Sequence, residues 1–158
     1  MNVDADLETD GSLSGTVEAS QHGYPAQVAR QKKADGVSDA DLLRQTLFDG
    51  YSQMELNDVS VSNLYSYEDP VEITGEFRID DYAVSFTDGL RYQPLIVGYR
   101  SKNPFPGPGR DLPITLDAPE KLNLSFTVDL PSGFKLDVDE GRTIKFSGAE
   151  FIERYNNK

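Results

Sequence analysis

The sequence predicts a mainly β fold, an antiparallel β-sandwich with an N-terminal hairpin and two short helices near the start. Three observations predict it. Apolar and polar residues alternate with a period of two over most of the chain. Helical spacing is confined to one stretch, and no helix separates the later strands. Strands with one apolar and one polar face, joined without crossover helices, argue for antiparallel sheets packed face to face.

The hairpin comes first. Val3, Ala5 and Leu7 alternate with Asp4, Asp6 and Glu8, and Leu13, Val17 and Ala19 share one face of the return. Asp10-Gly11 lies between the two runs and is expected to supply the positive φ angles of a tight turn. Pro25 then suits the first turn of a helix through Lys33, with Asp35-Gly36 ending it. Ser38 reads as the N-cap of a second helix, and Asp39 and Asp41 favour its positive end. Leu43, Leu47, Tyr51 and Met54 follow at helical spacing, which predicts a helix over about 39–54 with Gly50 as its weak point.

From Leu56 the period switches to two. Val59 and Val61 alternate with serines, and Val71, Ile73, Phe77 and Ile79 alternate with Glu72, Thr74, Glu76 and Arg78. The cleanest run is Leu122, Leu124, Phe126, Val128 and Leu130. Phe134, Leu136 and Val138 continue it, then Ile144 and Phe146. Between these runs, Asn103 to Gly109 holds three prolines and two glycines and is expected to be a loop or a sheet-edge crossing. The organisation expected is one accessory domain over 1–158: a hairpin over 1–20, a helical segment over 21–55 and sandwich strands over 56–158. Strand-like residues directly after Met1 suggest a piece excised from a larger protein.

Composition narrows the function classes. The chain has 158 residues and a formal net charge of −12. Residues 1–81 hold 17 of the 27 acids and 5 of the 15 Lys/Arg, so the whole excess lies in that half. Such a surface repels nucleic acid, and only Arg30, Lys32 and Lys33 make a basic run. No apolar stretch approaches the ~18 residues of a membrane span, so no membrane insertion is expected. Cysteine is absent, which removes disulfides, thiolate metal sites and cysteine nucleophiles.

Catalytic and metal readings are weak. The lone histidine, His22, is expected at the surface, and a serine or cysteine triad would have to run through it. Asp6-x-Glu8-x-Asp10-Gly11 resembles the start of an EF-hand loop. Position twelve, however, falls on Val17, and both flanks read as strands. No catalytic residue, no cofactor and no metal ligand is therefore assigned, and the chain is not expected to be an enzyme. Tyr65 and Tyr67, with Tyr82, Tyr92 and Tyr99, offer a different chemistry. An exposed tyrosine stripe could stack on sugar rings, although half-buried strand positions are the commoner place for tyrosine.

Several motifs, in order, resemble one family. They are Leu7, Asp10, Gly11, Leu13 and Gly15; Gly23, Tyr24, Ala26 and Arg30; Asn103-Pro104-Phe105, Arg110 and Leu112-Pro113; and Leu130-Pro131-Ser132-Gly133-Phe134-Lys135. Together they resemble the uncharacterised C-terminal domain that follows the transglutaminase-like core in large bacterial proteins. In that family further strands follow the point matching Tyr155. The resemblance implies a non-catalytic accessory or scaffolding domain, extracytoplasmic, whose partner is the neighbouring transglutaminase-like domain of the same chain. Asn103, Pro104, Phe105 and Arg110 form the candidate domain-docking loop. The alternative is a ligand-binding β-sandwich module for a glycan.

Overall fold

A computed structural model describes residues 1–47, 53–92, 123–135, 137, 143–146 and 149–152. Its centre is a five-stranded sheet. The strands are β1 (Asn2–Leu7), β2 (Leu13–Gln21), β3 (Glu55–Ser62), β4 (Val71–Ile79) and β7 (Ser125–Asp129), in the order β3-β4-β2-β1-β7. Helices α1 (Gly23–Ala34) and α2 (Asp39–Leu47) lie between β2 and β3 in the chain. Two small hairpins complete the described elements: β5 (Val84–Phe86) with β6 (Gly89–Arg91), and β8 (Thr143–Phe146) with β9 (Ala149–Ile152).

The alternation seen in the sequence maps onto the two faces of this sheet. The register places Val3 beside Val17 and Leu7 beside Leu13, then Leu13 beside Ile79 and Ala19 beside Ile73. These residues are buried, whereas Asp4, Asp6, Thr16, Glu18, Thr74 and Glu76 on the other face are exposed. Helices cover the apolar face. Ala26 and Ala29 of α1 and Leu42 and Leu43 of α2 join the same core cluster. Small residues on α1 let its backbone approach the sheet, while the leucines of α2 fill the space beside β3 and β4.

Two expectations are corrected here. The sheet is mixed, because β7 runs parallel to β1, with Val3 opposite Phe126 and Ala5 opposite Val128. A parallel neighbour needs a long connection rather than a hairpin. Alternation along a strand reports which face is buried and is silent on direction, so the sequence pattern could not distinguish the two. Second, Met54 is not part of a helix: α2 is described over Asp39–Leu47, and Met54 lies outside it. Met54 lies just before β3, buried to 2% exposure in the core, so its apolar character marks a core anchor rather than another helical turn. Among the described residues, the layer packed on this sheet is helical.

Both helices start and stop for local reasons. At the end of α1 the Gly36 N–H donates to Lys33 O and the Val37 N–H to Lys32 O, a Schellman closure that satisfies the last carbonyls. Lys33 Nζ then donates to Val37 O at 2.8 Å and pairs with Asp39 at 2.5 Å, tying the two helices together. Ser38 caps α2 as expected, its Oγ accepting the Asp41 N–H at 3.1 Å while donating to Asp41 Oδ2 at 2.7 Å.

The β1–β2 turn is longer than the two-residue form. Leu7 pairs with Leu13, so five residues span the gap, and the Glu8 N–H donates to Ser12 O. Only Gly11 of the expected pair has positive φ, at 89°. A Cβ there would lie 2.5 Å from Ala83 O, because the turn docks on the start of the β5–β6 hairpin through the Ala83 N–H to Gly11 O. Asp10 Oδ1 accepts from both the Ser12 N–H at 2.9 Å and Ser12 Oγ at 2.8 Å. These bonds favour the carboxylate and hold the Asp10 carboxyl below its ordinary value of 3.8. A depressed carboxyl stabilises the fold fully above its unfolded pKa, and that stability is lost as pH falls through the folded pKa. Asp10→Asn should therefore melt below the wild type at neutral pH, with the gap closing only on acidification below about 3.8. Melting curves recorded across pH 2–7 check this; a gap that stays constant through the acid range contradicts it.

Candidate functional site

The feature that departs most from ordinary packing is the β3–β4 connection, Ser62 to Pro70. It contains Ser, Asn, Tyr and acidic residues in the order Ser-Asn-Leu-Tyr-Ser-Tyr-Glu-Asp-Pro. Leu64 packs on the core and anchors its middle. Tyr65 is 97% exposed and Tyr67 83% exposed. A mobile loop would gain little by carrying rings into water, so what fixes this one matters.

Arg30 fixes it. The residue lies one position beyond Ala29 on α1, at the edge of that helix's buried face, and its guanidinium reaches across to the loop. Nε donates to Leu64 O at 3.2 Å. Nη2 donates to Asn63 O at 3.3 Å, to Asp69 O at 2.9 Å and to Ser66 O. A planar fork of N–H groups suits several carbonyls converging from one loop, which a lysine ammonium could not match. The guanidinium carbon also sits 5.4 Å from the centroid of the Tyr67 ring, a cation–π contact. Inside the loop, Ser66 Oγ donates to Asp69 Oδ2 at 2.7 Å and accepts the Asp69 N–H at 3.3 Å. Asn63 takes a left-handed φ of 60°, which asparagine tolerates better than most residues. The backbone of this connection is thus set by side chains on both sides of it.

The electrostatics around the loop are negative. Glu68 and Asp69 are exposed, and Glu72 follows at the start of β4. Arg30 spends its donors on carbonyls rather than carboxylates. Beyond the loop, the polar face of the sheet carries Asp4, Asp6, Glu18, Glu55 and Glu76 exposed. Its Arg78 is paired with Asp80 at 2.9 Å.

Not every expected site residue comes together. Tyr82 and Tyr92 are only partly exposed, pack on the core with ring centroids 6.0 Å apart, and so belong to the interior. Burial raises the Tyr92 hydroxyl above its ordinary pKa of 10.0. Tyr99 and the proposed docking residues Asn103, Pro104, Phe105 and Arg110 lie outside the described residues. Asp6 and Glu8 flank the β1–β2 turn, whose Asp10 carboxylate is engaged by Ser12. Among the described residues no three His, Asp or Glu side chains group as metal ligands do. No described helix is long and apolar enough to cross a membrane.

His22 is exposed at the N-cap of α1 and makes no side-chain capping bond. Its Nε2 lies 3.3 Å from Ser20 Oγ, and Ser20 Oγ donates to Glu72 Oε1 at 2.8 Å. The three residue types are those of a hydrolytic triad, but the order is wrong. A triad places the histidine between acid and hydroxyl so that it can take the hydroxyl proton. Here the serine stands in the middle and its proton already faces the glutamate. As arranged, the cluster ties β2 to β4 and offers no activated nucleophile.

Sequence reasoning named Tyr65 and Tyr67 but did not place Arg30 at this loop, seeing it in a basic run and in the motif of Gly23, Tyr24, Ala26 and Arg30. The available signal was its place in Ala26-x-x-Ala29-Arg30, where small residues bring the helix close to the sheet and an arginine at their edge must lie against something. Comparison with protein-family models, with curated proteins and with solved structures finds no match for this chain.

Proposed function

We propose that this chain is a non-catalytic accessory domain whose working surface is the tyrosine loop between β3 and β4. The observation that carries the proposal is the pairing of two exposed rings with a backbone held by Arg30. Rigid aromatic side chains on a fixed loop give contact area at little entropic cost, because the ordering is complete before a partner arrives. Tyrosine, serine and asparagine together are also the residues that recognition loops favour.

The motif resemblance supplies the context of the proposal: a domain beside a transglutaminase-like core, outside the cytoplasm, with a two-sheet sandwich as the complete fold. No cofactor enters this reading. The alternative, a glycan-binding module, is favoured by the same two rings, since tyrosine faces stack on sugars.

Amide chemical shifts of the isotope-labelled protein, titrated with glycan fragments and with an isolated transglutaminase-like core, test it. Perturbations should cluster on residues 63–69 and vanish in the Tyr65→Ala/Tyr67→Ala double variant. Responses confined to other surfaces would refute the loop's role. Amine incorporation or hydrolysis by the purified domain, abolished by His22→Ala or Ser20→Ala, would refute the non-catalytic reading.

A further inference from the structure

Resting on that reading of the loop, we infer that its partner is a basic protein segment, bound through arginine or lysine side chains laid on Tyr65 and Tyr67 and paired with Glu68. The loop already shows the chemistry once, in the Arg30 guanidinium held against the Tyr67 ring. Tyr67 remains 83% exposed despite that contact, and Tyr65 is almost entirely open. Aromatic faces attract cations more strongly as water is excluded, and guanidinium groups most of all.

Charge complementarity selects this occupant over the others. Glu68 is exposed, and among the described residues no cation pairs with it. Asp69 turns one carboxylate oxygen inward to Ser66, and Glu72 accepts from Ser20, so Glu68 is the carboxylate of the loop left to an incoming group. Nucleic acid and other polyanions would meet this negative field and be repelled. A neutral sugar would gain from the rings and nothing from Glu68, whereas a basic side chain gains from both. The acidic face of the sheet, continuous with the loop through Glu72 and Glu76 of β4, would add long-range steering.

Titration of the intact chain with a peptide of alternating arginine and serine tests this, at low and at raised salt. Saturable binding should weaken as salt rises. Tyr65→Ala and Tyr67→Ala should each weaken it about 2- to 5-fold, the range of exposed cation–π contacts. Glu68→Gln should weaken it about 2-fold. The control is Asp4→Asn with Asp6→Asn, which removes two charges from β1. Asp6 lies level with Ser14 while the loop follows the level of Ser20, about 20 Å along the sheet. If the control weakens binding more than Glu68→Gln does, attraction is to net charge alone and the inference fails. If the peptide does not bind but glycan fragments do, and the tyrosine variants abolish that, the partner class is wrong and the loop remains the working surface. If neither ligand responds to the tyrosine variants, this inference and the role proposed for the loop fall together. All five side chains are exposed, so melting temperatures near that of the wild type should show the variants folded.

Discussion

Leu43→Ala is expected to destabilise the fold by about 2–5 kcal/mol, a large share of what a domain of this size has to lose. Leu43 is fully buried on α2 and reaches the sheet at Gly75 of β4. A Cβ on Gly75 would lie 3.0 Å from Leu43 Cδ2 and 3.1 Å from Val59 Cγ2, so the absent side chain is the space that Leu43 fills. Gly75 also stands opposite the irregularity in β3, where the register slips between Asn57 and Ser60 and Asp58 has a positive φ of 48°. The bulge turns Val59 toward the same spot, and the glycine admits both neighbours. Gly75→Val alone should then be destabilising by about 1–3 kcal/mol through overpacking. In the Leu43→Ala background the added methyls would enter the cavity, so the double variant should be more stable than the sum of the singles implies, by about 1 kcal/mol. Chemical denaturation of the four proteins measures this coupling. Additivity within about 0.3 kcal/mol would mean that Leu43 and Gly75 do not share a space.

The contrast between these residues and the rest of the sheet explains how far the sequence could be read. Val3, Leu7, Leu13, Val17, Ile73 and Phe77 were legible because a period of two has one physical cause, a strand with one face out of water. Ser38 and Gly36 were legible because orphan N–H and C=O groups at helix ends have few local solutions. Pairing direction was not, since β7 alternates identically whether it runs parallel or antiparallel to β1. Met54 was misread as helical because it is apolar for a tertiary reason, its contact with the core, at a position that also fits helical spacing. The loop was half legible. Two tyrosines at spacing two could be noticed, yet their exposure depends on Leu64 turning inward and on an arginine 33 to 39 residues away along the chain. No local pattern encodes a contact of that range.

Arg30→Ala should produce the largest change at the loop itself. The substitution removes the N–H donors that four loop carbonyls share, together with the cation held at Tyr67. Bonds from a charged donor contribute about 1.5–3 kcal/mol in favourable settings. Asn63 O and Asp69 O lie in exposed parts of the network and can return to water, so the total loss should stay near that range rather than multiply with the number of bonds. Arg30→Lys separates charge from geometry. It keeps the cation, but a single ammonium on a flexible stem cannot span Leu64, Ser66 and Asp69 together, so at least half of the effect should remain. Amide hydrogen exchange provides the readout that global stability cannot. In Arg30→Ala the amides of residues 63–69 should exchange faster by a larger factor than those of β2 and β4, because the loop would open locally while the sheet stays closed. The same variant should reduce binding at the tyrosines although neither ring has been altered, since a loop that must be ordered on contact costs affinity. Loop amides as protected in Arg30→Ala as in the wild type would show that Ser66, Asp69 and Leu64 suffice to hold the backbone. Arg30 would then be a passenger on the loop and not the residue that fixes it.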